Sequence, residues 1–350
     1  MTLFFRPCGA LTRAPAPRSS RDDALRARIS DALGCDITID PALDYEDWTE
    51  PMTLLDAAIA RGLDIAVLPR APLGEAMDAP LHRLPGTPCP DILLGRLGRM
   101  DSFHLPGTDL VWPPRDDARA NHYGELAAFH AAAGRDLALA DMPGDPDLGL
   151  ARQMIGDIVP LPPGDALTRF AGGSCLVKQV FPGKSLPLFD LDVPAGADAT
   201  TCERLLLGEL GLHFARFEGE KGTLLLQERV EMTHETRFFV VNGEVVCGAA
   251  CIEDHTPLEN TSGEILSPVF ETRRNSGAIV TDPAAAEKLL DAARTITTGI
   301  VAEDAELTHF VLDLALDPAG QPLAIELNPI GSSGLYGIAA GRLLDAVLVA

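Results

Sequence analysis

The chain has 350 residues, enough for two or three modules, because a single hydrophobic core seldom grows beyond about 250 residues. Its formal charge of −23 would repel a phosphate backbone, which makes nucleic acid a poor partner. Hydrophobic residues make up 46% of the sequence but never approach the roughly 18 uncharged apolar residues of a membrane span, so the sequence predicts no membrane partner.

The N-terminal residues and the cysteines predict a cytoplasmic protein. Residues 1–5 have the pattern of a short strand, without the basic segment and long apolar run of a secretory signal. The seven cysteines are an odd number, scattered and without a CxxC pair. This usage favours free thiols in a reducing compartment.

Strand-like and helix-like segments alternate along the first 70 residues, and this order predicts a small α/β module with a partly parallel sheet. The predicted strands cover residues 3–5, 36–39 and 64–68, and the predicted helices cover residues 21–33 and 53–61. The stretch 69–114 is rich in Pro and Gly, with strand candidates at 92–94 and 110–112. A single helix is predicted over 116–133, ending before Gly134, a residue type favoured just after a helix.

A second turn-rich segment, residues 143–163, predicts a domain boundary; a loop inside one larger domain is the alternative. Beyond it the pattern predicts helices over 165–170, 199–210 and 284–301, and strands over 174–180, 223–230, 236–241, 245–252, 310–316 and 323–327. Asn242-Gly243 separates two of these strands, and this dipeptide is a strong signal for a β-hairpin. The chain beyond the boundary therefore combines hairpins with helices.

Three oxygen-bearing side chains fall on two neighbouring predicted strands. Glu326 and Asn328 share one face of their strand because side chains alternate, and Asp313 can join them from the adjacent strand. Mg²⁺ takes carboxylate and amide oxygens while keeping waters and nucleotide phosphates in its shell. The pattern therefore predicts a magnesium site, with a surface hairpin of ordinary polar residues as the alternative.

A second group of polar side chains follows the strand that ends near residue 230. Main-chain groups and apolar side chains at a strand terminus can hold a flat adenine, and Glu235, seven residues beyond Glu228, can accept the ribose hydroxyls. Arg237 lies on the same face as Glu235, and its guanidinium fits phosphate oxygens or a developing acyl phosphate. A solvated strand face is the alternative for these three residues.

Two lysines precede this group. Lys178 interrupts an apolar strand, an unfavourable place for an ammonium group unless an anion meets it, and Lys184 follows Gly183 in a turn. Together they could contact the nucleotide phosphates. The Gly-Lys-Ser triplet does not fit a P-loop, because Lys178 stands where that motif requires glycine and a strand rather than a helix follows.

Taken in order, these motifs resemble the ATP-grasp superfamily over about half the chain, and residues 235–246 and 326–329 look like those of relatives of ribosomal protein S6 glutamate ligase. The resemblance implies an N-terminal α/β domain over residues 1–140, a linker and the start of the ATP-grasp region over 141–170, and the nucleotide-binding catalytic domain over 171–350. It also implies a fold of two α+β subdomains that hold the nucleotide between them.

The same resemblance implies residue roles and the cofactors ATP and Mg²⁺. ATP is held by Lys178, Lys184, Gln227, Glu228, Val230 and Glu235; Mg²⁺ is held by Asp313, Glu326 and Asn328; catalysis involves Arg237 and Lys184; and the substrate carboxylate meets Arg273 and Arg274. For the last two arginines a solvated basic loop is the alternative.

The activity implied is that of an ATP-dependent ligase that forms a carbon–nitrogen bond, or a thioester if the acceptor is a thiol. ATP would phosphorylate a small-molecule or peptide carboxylate, and an amine would displace phosphate from the acyl phosphate. An ATP-grasp kinase or phosphotransferase and a nucleotide-binding module without catalysis are the alternatives. The sequence names neither substrate and leaves the oligomeric state open, a homodimer included.

Overall fold

The structure, a computed structural model, describes residues 2–5, 20–33, 49–62, 64–67, 82–83, 91–93, 115–142, 154–181, 188–213, 222–252, 263–273 and 277–349. The helices within these residues are α1 (Ser20–Leu33), α2 (Thr49–Ala60), α3 (Ala127–Ala132), α4 (Pro163–Thr168), α5 (Ala199–His213), α6 (Pro283–Glu303) and α7 (Ala340–Val349), with 3₁₀ segments at Arg115–Glu125 and Ile330–Ser332. None of the helices in this described part is long and apolar enough to cross a membrane.

Fourteen strands accompany these helices in the described part of the chain. They are β1 (Thr2–Phe5), β2 (Asp64–Val67), β3 (His82–Arg83), β4 (Asp91–Leu93), β5 (Leu137–Asp141), β6 (Gly173–Phe181), β7 (Phe189–Val193), β8 (Thr223–Glu228), β9 (Thr233–Val241), β10 (Glu244–Ala250), β11 (Val269–Glu271), β12 (Ile279–Thr281), β13 (Phe310–Leu316) and β14 (Pro322–Asn328). Three sheets of four strands and the two-stranded ribbon β11-β12 result.

The N-terminal strands form a mixed sheet in the order β3-β2-β1-β4. Strand β1 pairs parallel with β2 and β4, whereas β3 runs antiparallel to β2. Parallel neighbours need a crossover connection, and α1 and α2 lie in the chain between β1 and β2. This sheet agrees with the predicted α/β module; the strand candidates at 36–39 and 110–112 lie outside the described residues.

The helix predicted over 116–133 is wrong as a single element. The structure divides it into the 3₁₀ segment Arg115–Glu125 and the short helix α3, with Leu126 between them at φ −86° and ψ 121°. A crossing segment explains the break: the Glu125 carbonyl accepts from the Ile158 amide at 2.9 Å, so it makes no helical bond. Gly156 permits this approach, since a Cβ there would lie 2.2 Å from the Glu125 oxygen. Gly134 has the expected left-handed φ of +63°.

The second sheet is antiparallel in the order β5-β8-β6-β7. Its buried side chains alternate along each strand, as with Cys175 and Val177 on β6 and Leu224 and Leu226 on β8, and they pack on α4 and α5. Strand β5 therefore lies in one sheet with strands beyond residue 170. The division at residue 140 stays a prediction, and it would fall within this strand.

The third sheet is antiparallel in the order β10-β9-β13-β14 and is covered by helices on both faces. Phe238 and Leu312 pack toward α6, whereas Phe239 and Val311 pack toward α1, α2 and α7. Asn242 and Gly243 turn between β9 and β10 with φ of 55° and 76°, as expected for the predicted hairpin.

The 3₁₀ segment Arg115–Glu125 lies between the second and third sheets. It contacts β6 of the second sheet and β13 and β14 of the third. The described part of the fold therefore agrees with the prediction of two α+β subdomains that face each other, with this segment at their junction. Most of the polar side chains singled out in the sequence lie near the same junction.

Candidate functional site

The three candidate metal ligands meet on β13 and β14. Asp313 pairs directly with Glu326 in the strand register, and both Asp313 and Asn328 are buried. The Asn328 side-chain nitrogen donates to Asp313 Oδ2 at 3.2 Å and to Glu326 Oε1 at 3.0 Å. Strand alternation and the antiparallel pairing of β13 with β14 therefore bring together the three residues that the sequence grouped.

Arg237 forms a bidentate ion pair with Asp313. Its Nε and Nη2 donate to the two carboxylate oxygens at 2.9 and 2.8 Å, across the pairing of β9 with β13. Nη1 donates to the Gly334 carbonyl at 3.1 Å, and the guanidinium lies 4.3 Å from the centre of the Tyr336 ring. Burial alone would lower the pKa of Arg237, but the Asp313 charge outweighs it and the pKa lies well above its ordinary value. The guanidinium therefore stays charged.

Lys178 joins the two sheets. From β6 its ammonium group donates to Glu326 Oε2 and to the Ile325 carbonyl, each at 3.2 Å. The side chain is buried, with the residue 3% exposed. The sequence predicted that an ammonium in this apolar strand would need an anion, and Glu326 supplies it here.

Two carboxylates and two cations thus balance one another at the junction of the sheets. Two carboxylates and an amide oxygen are a donor set that fits a hard divalent cation such as Mg²⁺. Asn328 turns its nitrogen toward both carboxylates, so rotation of the amide would present its oxygen instead. A divalent cation would also compete with Lys178 for Glu326. The residues present therefore fit the predicted metal, in exchange for an internal ion pair.

The candidate adenine-binding residues lie where β8 ends. Gln227 is buried, Glu228 is exposed, and Val230 and Glu235 are half-buried. The Glu228 amide donates to the Asp136 carbonyl at 2.9 Å, which ties the end of β8 to the start of β5. The structure thus brings this group to the same edge of the second sheet, on the side from which Lys178 reaches the third sheet.

Arg135 joins this edge and was missed in the sequence. Its Nη2 donates to Gln227 Oε1 at 2.8 Å and approaches the Ile325 carbonyl at 3.5 Å, the carbonyl that Lys178 also contacts. Burial lowers the pKa of Arg135, while nearby Tyr123 and Glu228 act in the opposite direction. An arginine directly after the left-handed Gly134 was the available signal, because such a residue begins a new element beside the helix end.

Tyr336 is a second residue that the sequence did not single out. It adopts a left-handed φ of 51°, which is uncommon for a residue with a large side chain. Its ring covers the Arg237 guanidinium, and burial raises the pKa of its hydroxyl. The loop after β14 therefore both accepts from Arg237 through Gly334 and covers it through Tyr336.

The remaining candidates are described in part. Arg273 is exposed and lies 3.8 Å from Glu231 Oε1, a loose pair that water screens. Lys184 and Arg274 lie outside the described residues. Their assignment to phosphate and substrate binding stays a prediction.

No group of three or more His, Cys, Asp and Glu side chains within the described ranges is arranged to hold a metal ion. The candidate site differs in kind, since it combines two carboxylates with an amide and would leave the other positions to phosphate oxygens and water. The cysteines that the structure describes are free and buried. Burial raises the pKa of Cys175 to about 12, which keeps that thiol protonated near neutral pH.

Comparison with solved structures finds distant likenesses. They include the D-cycloserine synthetase DcsG (15% identity, covering 99% of this chain and 98% of that chain, TM-score 0.41). A RimK domain protein from Sphaerobacter thermophilus is 13% identical (85% of this chain, 95% of that chain, TM-score 0.41). The ATP-grasp ligase PsnB complexed with minimal precursor is 16% identical, with a TM-score of 0.36; 69% of this chain is covered, and the chain spans 64% of that ligase's length. Likenesses this distant carry no assignment of substrate or mechanism.

Sequence comparison is more informative. No curated protein matches the chain. A family model described as an ATP-grasp domain, family 3 of its clade, matches residues 203–348, a span that holds β8 to β14 and therefore Arg237, Asp313, Glu326 and Asn328. The match agrees with the resemblance drawn from the motifs. The chain therefore contains a domain of the ATP-grasp superfamily.

Proposed function

We propose that this protein is an ATP-dependent ligase that joins a carboxylate to an amine, or to a thiol, through an acyl phosphate. The observation that carries the proposal is the pair of ion pairs, Arg237 with Asp313 and Lys178 with Glu326, joined by Asn328 inside an ATP-grasp domain. Such a cluster offers both the carboxylates for a divalent cation and the cations for phosphate oxygens.

In this proposal the nucleotide lies between the second and third sheets. Gln227, Glu228 and Val230 line the adenine site, and Glu235 accepts from the ribose hydroxyls. Lys178 and Lys184 contact the phosphates. The bond between Glu228 and Asp136 supports this arrangement, because it fixes the end of β8 against its neighbouring strand. The buried position of Lys178 supports its role, because an ammonium that leaves Glu326 there needs another anion.

Asp313, Glu326 and Asn328 would hold Mg²⁺, which neutralises charge on the phosphates when it is bound. The substrate carboxylate oxygen forms a bond to the γ-phosphorus, the bond to the β,γ-bridging oxygen breaks, and ADP leaves. The amine nitrogen then bonds to the acyl carbon, the carbon–oxygen bond to phosphate breaks, and the amine proton passes to solvent. Arg237 and Lys184 stabilise negative charge during these steps.

Arg273 and Arg274 would bind the substrate carboxylate. The loose contact of Arg273 with Glu231 supports this role for Arg273, because an exposed pair at 3.8 Å holds the guanidinium only weakly. A carboxylate in bidentate contact would compete well for it.

The test of this function begins with nucleotide binding. Mg·ATP should raise the thermal midpoint, since a ligand at 100 times its Kd stabilises the native state by about 2.7 kcal/mol. Amino acids, short peptides and polyamines are then screened for ADP formation. Phosphate release that requires an added amine supports a ligase, whereas phosphorylation of the acceptor without it supports a kinase. A midpoint indifferent to millimolar ATP and Mg²⁺ would contradict the proposal.

A further inference from the structure

The hydroxyl of Tyr123 is buried beside the charged cluster. Tyr123 lies in the 3₁₀ segment Arg115–Glu125 and is 1% exposed. Its ring packs edge-on against Phe129 with 4.6 Å between centroids, and the Lys178 ammonium lies 5.3 Å from the ring centroid. Among the described residues, the hydroxyl oxygen has no hydrogen-bond partner.

The surroundings keep this hydroxyl protonated. Burial raises the pKa of Tyr123 well above its ordinary value, the Glu326 charge adds to the rise, and only Arg135 opposes both. The group therefore acts as a neutral donor. A buried hydroxyl that makes no hydrogen bond destabilises the fold, and phenylalanine would pack the same ring without that penalty. The ring alone does not explain why the residue is tyrosine.

We propose that Tyr123 is a nucleotide-binding residue whose hydroxyl donates a hydrogen bond to a phosphate oxygen of bound Mg·ATP. The inference rests on the proposed function and deepens it. Lys178, the predicted phosphate ligand, lies over the Tyr123 ring, so an anion that draws Lys178 from Glu326 comes to the same corner of the cleft. The 3₁₀ segment reaches this corner because it contacts β6 and β14 together.

The test compares Tyr123→Phe with a matched control, Thr297→Val. Thr297 lies on α6 and also has a buried hydroxyl without a partner among the described residues. Both substitutions remove one such hydroxyl and keep the packing, so both should leave the ligand-free thermal midpoint unchanged or higher. Calorimetric titration should show Mg·ATP binding weakened about tenfold or more by Tyr123→Phe and unaltered by Thr297→Val.

Adenosine provides the second arm of the experiment. Because adenosine lacks phosphates, wild type and Tyr123→Phe should bind it equally; an equal loss for adenosine and ATP would overturn the phosphate contact. If wild type binds Mg·ATP and Tyr123→Phe binds it with the same affinity, the inference fails while the proposed function stands. If wild type does not bind Mg·ATP, the proposed function fails and the inference with it. A lower ligand-free midpoint for Tyr123→Phe alone would show a structural hydrogen bond and also overturn the inference.

Discussion

Substitution of Asp313 by asparagine should destabilise the ligand-free protein. The change keeps the size of the side chain but leaves the Arg237 guanidinium, whose side chain is 10% exposed, without its bidentate counter-charge. Removing one partner of a buried ion pair costs about 3 to 5 kcal/mol. Arg237 would retain the Gly334 carbonyl, the Tyr336 ring and the more distant charge of Glu326, so we expect a loss near the lower value.

Thermal unfolding without nucleotide, followed by far-UV circular dichroism, measures this loss. One kcal/mol shifts the midpoint of a domain of 150 to 250 residues by about 2 to 4 °C, so a loss of about 3 kcal/mol predicts a fall of roughly 6 to 12 °C. Asp345→Asn is the matched control, because Asp345 forms a bidentate pair with Arg61 that is exposed to solvent. An exposed pair contributes about 1 kcal/mol or less.

The double variant Arg237→Met with Asp313→Asn completes the experiment. Removal of both charges should recover much of the stability lost in Asp313→Asn, because no unpaired charge then remains in the core. Equal midpoints for Asp313→Asn and Asp345→Asn would refute the reasoning, since burial would then make no difference to the pair. A double variant less stable than the single one by the full value of a second loss would refute it as well.

Three other predictions concern the metal, the substrate and pH. Glu326→Gln should unfold near the wild-type temperature but lose the Mg-dependent part of the ATP-induced midpoint shift; an undiminished Mg dependence would remove Glu326 from the metal set. Arg273→Ala should raise KM for the carboxylate substrate in steady-state assays and leave ATP affinity nearly intact, whereas equal losses for both ligands would argue against a substrate contact. Burial lowers the pKa of His130 and His309, so the unfolded chain binds protons first on acidification. Unfolding free energy should therefore fall as pH drops from about 6.5 toward those lowered values, and His309→Gln should flatten the dependence seen in urea titrations.

The sequence predicts the metal candidates well because their arrangement depends on local chain geometry. Alternation places Glu326 and Asn328 on one face, and the short turn before β14 sets the antiparallel register that puts Asp313 opposite Glu326. The pairing of Arg237 with Asp313 is different. The two residues are 76 apart in the chain, and no local pattern states that β9 lies next to β13. The same limit applies to Lys178, whose need for an anion was predicted but whose partner was not.

Tyr123 and Arg135 were missed for a related reason. Both precede the predicted boundary, in a stretch whose periodicity favours one continuous helix. The segment around Ile158 overrides that preference by taking the Glu125 carbonyl, and a contact of this kind between distant residues leaves no mark in the local sequence. The expectation of a continuous helix therefore gave no means of placing Tyr123 beside Lys178.

The docking of α2 on α7 bears on how the protein can be divided for recombinant work. Leu54 and Leu55 on α2 are buried in one cluster with Leu343 and Leu344 on α7, and Glu50 Oε2 accepts from the Leu335 amide at 2.5 Å. A fragment trimmed to residues 203–348 would return these α7 leucines to water, at about 1.5 to 3 kcal/mol for each side chain. It would also release the loop that supports Arg237. The unit defined by homology is thus smaller than the unit that folds, and a recombinant fragment should keep α2 on the same polypeptide as α7.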